Sequence, residues 1–117
     1  MPERDAYNAE NPVEFVRAVR RSDLRNGHAT LIRIDGEEIA VWSVDSKIYA
    51  INNVCPHQHF SMLHQGSLDG IHVTCPMHGW TFSLADGHPV TGNGRAKTYQ
   101  VKVVGDDVFV EKPTRRW

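Results

Sequence analysis

The chain has 117 residues, 40% of them apolar, and a formal net charge of -1 at neutral pH. That is the length of one ordinary domain with a single modest core. No basic stripe stands out, which argues against nucleic acid as a partner. No apolar run approaches the roughly 20 residues that span a bilayer, which argues against a membrane segment.

In chain order, residues 1–12 read as a polar tail ending at Pro12; they lack the apolar stretch of a signal peptide, so a cytoplasmic location is expected. Residues 13–19 fit a strand or a short helix. Ser22-Asp23-Leu24 resembles a cap or turn, and Asn26-Gly27 is a turn. Residues 29–34 and 38–44 are β-branched and apolar, and Asp35-Gly36 between them is a strong hairpin signal. Asp45-Ser46 predicts another turn and residues 48–51 a third strand. At Asn52 the pattern changes, and Gly, Pro, His and polar residues dominate to about Gly94. Short apolar pieces survive at 71–74 and at 80–84, where Trp80, Phe82 and Leu84 share one face. Strand character returns at 97–104 and 108–110, around a turn at Gly105-Asp106.

Short strands with regular turns predict an all-β fold, a sandwich or barrel base built from both ends of the chain. Residues about 52–94 are expected to sit on that base as a loop-rich subdomain. The whole of 1–117 reads as one domain, with tails at about 1–12 and 113–117. A segment of about 40 residues with few apolar anchors needs something else to order it.

Cys55-Pro-His57 and Cys75-Pro-Met-His78 suggest what that is, because each cysteine of the chain lies a short fixed step before a histidine. With seven histidines in 117 positions, two such coincidences have a chance of roughly 0.004. Both cysteines precede proline, and a rigid turn after each thiolate suits a loop that wraps a metal. Three readings compete. The first is two buried cysteines among surface histidines. The second is a tetrahedral zinc site, although zinc motifs usually pair like ligands and here each pair is mixed. The third is a 2Fe-2S cluster with two thiolates on one iron and two imidazoles on the other, for which mixed pairs are what the geometry requires.

The segments Cys-Pro-His at 55–57 and Cys-Pro-Met-His-Gly-Trp at 75–80 resemble the two cluster loops of Rieske proteins, and the likeness extends from about Asp35 to Lys112. The resemblance implies stacked antiparallel sheets with a cluster-binding subdomain at one end. It implies one Rieske-type 2Fe-2S cluster, with Cys55 and Cys75 on the inner iron and His57 and His78 on the outer iron near the surface.

The departures from the family's respiratory branch carry information. Respiratory Rieske proteins have two further cysteines where this chain has Phe60 and Met77, and sulfur-directed hydroxyls where it has Trp80 and Phe82. Donors near the sulfurs stabilise the reduced cluster, so their loss predicts a potential of about -150 mV, near the lower end of the Rieske range, and not about +300 mV. The chain is similar to the ferredoxin components of aromatic-ring dioxygenase systems. That implies a flavin-dependent reductase as electron donor and a terminal oxygenase as acceptor. The alternatives are the small subunit of an NADH-dependent nitrite reductase, or a Rieske protein whose cluster is a structural staple or redox sensor. His59 stands where the family often has a small residue, and it reads as a surface loop histidine, as do His28, His64, His72 and His88. Trp80 and Phe82 are expected to pack beneath the cluster. Met77 belongs either to an apolar docking patch with Pro56, Phe60 and Pro76 or to simple shielding.

Overall fold

A computed structural model describes residues 14–54, 63–76, 79–91 and 94–113. The described strands are β1 (Phe15–Arg20), β2 (Ala29–Ile34), β3 (Glu37–Val44), β4 (Lys47–Asn52), β5 (Ser67–Asp69), β6 (His72–Thr74), β7 (Thr81–Ser83), β8 (Pro89–Thr91), β9 (Thr98–Tyr99), β10 (Val101–Val104) and β11 (Asp107–Glu111). They form sheets of order β1-β11-β10, β2-β3-β4-β9 and β5-β6-β7-β8, and every strand pairing is antiparallel. The expected all-β architecture of stacked antiparallel sheets is what the chain adopts. The segment at 13–19 resolves as strand, and the Ser22-Asp23 signal falls in a 3-10 turn at Arg21–Asp23.

The β2-β3-β4-β9 sheet is the middle layer, and β3 shows why. Side chains alternate across a strand. Ala40, Trp42 and Val44 face one apolar cluster, which also holds Ile51, Leu63, Val73, Cys75, Phe82, Leu84 and Ala96. Ile39 and Val41 face a second cluster with Ile34, Ala50, Tyr99, Val108 and Val110. A strand covered on both faces needs apolar residues at successive positions, and residues 39–42 are all buried. The Asp35-Gly36 turn joins β2 to β3 with both residues at positive φ (52° and 82°), as a two-residue hairpin of matching twist requires.

Two strands escape the sequence pattern. β5 and β8 have three residues each, too short to show a period, and β8 begins with a proline. They form because β6 and β7 offer free edges on either side. The apolar run at 97–104 is two strands, not one. The chain leaves the middle sheet after Tyr99 and joins the β1-β11-β10 sheet at Val101. Gln100 makes the crossing, held to Glu111 by bonds in both directions. Pro113, expected to open the C-terminal tail, is buried, and residues 1–12 and 114–117 lie outside the described residues.

Candidate metal centre

The second expected ligand loop joins β6 to β7. Its base is closed by the Thr74–Thr81 pair, whose hydroxyls lie 2.8 Å apart. One step on, the Cys75 N–H donates to the Trp80 carbonyl (2.8 Å), and the Gly79 N–H donates to the Cys75 carbonyl (3.0 Å). Gly79 holds φ at +74°, and a Cβ there would meet nothing within 4 Å. Glycine is therefore required for its backbone angle and not for space. Cys75 is 1% exposed within the apolar cluster, while Pro76 and Gly79 on either side of Met77-His78 are exposed. The loop passes from core to surface within a few residues.

The first loop begins where Asn52 ends β4. Its Oδ1 accepts the Val54 N–H (2.9 Å), and its Nδ2 donates to Glu37 Oε1 and to the Tyr99 hydroxyl, each at 2.9 Å. The Tyr99 hydroxyl in turn donates to Glu37 Oε1 at 3.2 Å. Burial, reinforced by the Glu37 carboxylate and opposed by the Asn52 bond, pushes the Tyr99 phenol up to about 12. After the loop the chain re-enters the core at Leu63, which is fully buried.

Of the four expected ligands, Cys75 is described; Cys55, His57 and His78 lie outside the described residues, as do Pro56, His59, Phe60 and Met77. The described residues establish the frame. Ile51 and Leu63 flank the first loop, Cys75 and Phe82 flank the second, and all four belong to one apolar cluster. Both loops thus start and finish on the same wall. Trp80 packs against this cluster and Phe82 is fully buried within it. His28, His72 and His88 are exposed, as their surface reading requires. His64 is different: it is half-buried, with Nδ1 3.1 Å from Asn53 Oδ1. Sequence reasoning passed over Asn53, although two consecutive asparagines where a strand pattern stops are a local signal for side chain–backbone bonding.

A profile of the Rieske [2Fe-2S] domain matches residues 14–104. The chain belongs to this family. The ferredoxin component of a naphthalene 1,2-dioxygenase system from Pseudomonas putida is 34% identical over 103 residues, covering 85% of this chain and 96% of that one. Among solved structures, the ferredoxin of carbazole 1,9a-dioxygenase from Nocardioides aromaticivorans IC177 superposes with a TM-score of 0.79 at 27% identity, covering 85% of this chain and 98% of that one. A ferredoxin-sized chain from a complex of reduced oxygenase and oxidised ferredoxin in carbazole 1,9a-dioxygenase gives 0.79 at 26% identity, over 88% and 97% of the two chains.

The cofactor of this Rieske domain is a Rieske-type 2Fe-2S cluster. The donor chemistry of Cys75 fits it. A thiolate inside an apolar cluster is costly alone and favourable when it binds a cation. Cys75 is buried directly beside an exposed Pro76, so its thiol lies just beneath the surface of the protein. Among the described residues no helix is long and apolar enough to cross a membrane.

Proposed function

We propose that the chain passes single electrons from a flavin-dependent reductase to a terminal oxygenase in the cytoplasm. Cys55, His57, Cys75 and His78 hold the cluster, and residues about 52–94 act as the cluster-binding part of a single domain. The observation that carries the reading is Cys75 buried within the apolar cluster to which residues at the ends of both loops belong. The relatives that are ferredoxin components of dioxygenase systems support the pairing with an oxygenase.

When bound, the cluster takes up and releases one electron at a time. The chain's residues supply its surroundings. Leu63, Val73, Phe82 and Leu84 keep water from the thiolate side. Gly79, at positive φ, supplies the tight turn after Cys75 and His78, which would both hold the cluster. Imidazoles at the surface shorten the path to a partner's cofactor, and their protonation is coupled to reduction, because a reduced cluster makes a bound imidazole more basic. Docking through such a tip is transient, over a small interface. With Trp80 and Phe82 in place of hydroxyl donors, the potential is expected at about -150 mV.

Reconstitution tests the reading. NADH, a flavin reductase and the oxygenase of an aromatic-ring dioxygenase system should turn over only when this protein is added. Cys75→Ser should lose the cluster's visible absorption and this activity together. Stable co-purification with a large NADH-oxidising subunit, and no turnover with the oxygenase, would favour a nitrite reductase component instead.

A further inference from the structure

Among the described residues, Asn53 is the one fully buried amide side chain, two positions before Cys55. On one side it is tied to β3: its N–H donates to the Glu38 carbonyl at 2.9 Å, and its Nδ2 donates to Glu38 Oε1 over a longer 3.4 Å. On the other side it is tied to the far end of the first loop. Its carbonyl accepts the Leu63 N–H at 3.1 Å, and its Oδ1 accepts the His64 N–H at 2.5 Å. The His64 ring adds a further contact, Nδ1 to the same oxygen at 3.1 Å. An amide oxygen can only accept, so in this contact Nδ1 is the donor.

One buried side chain thus joins the entry of the first loop to its exit, eleven residues later. Cys55 and His57 lie between these two ends in the sequence. Leu63, next to the clamped His64, is packed in the cluster that also contains Cys75. The clamp therefore sets the first loop's ends against the wall from which the second loop springs.

We propose that Asn53 is a positioning residue for the cluster. By bonding His64 through its side-chain oxygen, it holds the loop that presents Cys55 and His57 in register with Cys75. The proposal rests on the assignment of Cys55 and His57 as ligands. Partners that orient metal ligands tune affinity and electronic character as well as stability. Removing the Asn53 oxygen leaves the buried end of the His64 backbone without its acceptor and frees the loop's exit to shift.

The test uses full-length holoprotein and reads the EPR spectrum of the reduced cluster, its midpoint potential and the rate of iron release to a chelator. Asn53→Ala should shift or broaden the g values and speed iron release by about tenfold or more. Asn53→Asp combined with Glu38→Gln, which keeps an acceptor for the His64 N–H and puts an amide donor opposite the new carboxylate, should retain the wild-type g values. His64→Ala, at a half-exposed position, removes only the ring contact and should move the spectrum in the same direction by less. A fall in melting temperature with wild-type g values and potential in Asn53→Ala would make Asn53 a folding residue only and overturn the proposal. So would a spectrum of the Asn53→Asp/Glu38→Gln protein displaced as far as that of the alanine variant. If Asn53→Ala yields no folded holoprotein, His64→Ala decides: a displaced spectrum supports the clamp and a wild-type one overturns it. A wild-type protein with the spectrum of an all-cysteine cluster would fail differently, removing the ligand assignment and this proposal with it.

Discussion

Tyr99 links the strand that leads into the first loop with the strand that follows the second. It pairs with Ala50 across the β4-β9 ladder, and its hydroxyl sits between Asn52 and Glu37. Burial and the nearby carboxylate raise its phenol from 10 to about 12. The folded protein therefore keeps this proton at a pH where the unfolded chain has lost it. The unfolded state binds fewer protons in that window, so stability is complete below about pH 10 and falls as pH rises toward about 12. Tyr99→Phe should lose much of that decline in urea unfolding followed from pH 9 to 12, at a cost of about 1 kcal/mol near neutrality from the lost bond. An alkaline decline equal in both proteins would contradict it. Legibility at this scale divides by kind. The ligand motif is readable because its chemistry is local. The Asn53–His64 clamp and the Tyr99–Glu37 contact join residues that only the fold brings together, and no spacing announces them.

The strands in the middle layer were legible as elements because their burial is regular. β2, β3 and β4 each alternate or run apolar for as long as they are covered, and the turns between them carry residues suited to positive φ. β5 and β8 were not legible, since three residues cannot display a period and their pairing depends on neighbours. The split at Gln100 was hidden because both strands it separates are apolar, and only the change of sheet distinguishes them. The turn between β7 and β8 carries a sharper constraint. Gly87 has φ of +76°, and a Cβ on it would lie 1.8 Å from the Ala96 carbonyl oxygen. The Ala96 N–H also donates to the Gly87 carbonyl at 2.9 Å, so two backbones meet with no room for a side chain. Gly87→Ala should destabilise the protein by more than about 3 kcal/mol in chemical denaturation, combining backbone strain with a forced displacement. A loss below about 1 kcal/mol would show that this approach is not needed.

For the molecule as a whole, the two apolar clusters lie on opposite faces of one sheet and depend on different things. The face with Ile39, Val41, Val108 and Val110 is closed by strands from both ends of the described chain. The other is closed by the short β5-β6-β7-β8 sheet together with Leu63 and Ala96, and on the proposed reading the cofactor's bonds add to what holds that side together. Removing the iron with a chelator should therefore loosen the molecule unevenly. Hydrogen exchange should show amides of Val73 and Phe82 losing protection while those of Val41 and Val110 keep most of theirs. Uniform loss across both faces would mean that the cluster supports the whole fold.

The central claim is a 2Fe-2S cluster held by two cysteines and two histidines, and its most direct measurement is EPR of the dithionite-reduced protein alongside metal and sulfide analysis. The account predicts two iron and two acid-labile sulfide per chain, with the low average g value of mixed histidine and cysteine ligation. Zinc in place of iron, or the higher average g of an all-cysteine cluster, would contradict it.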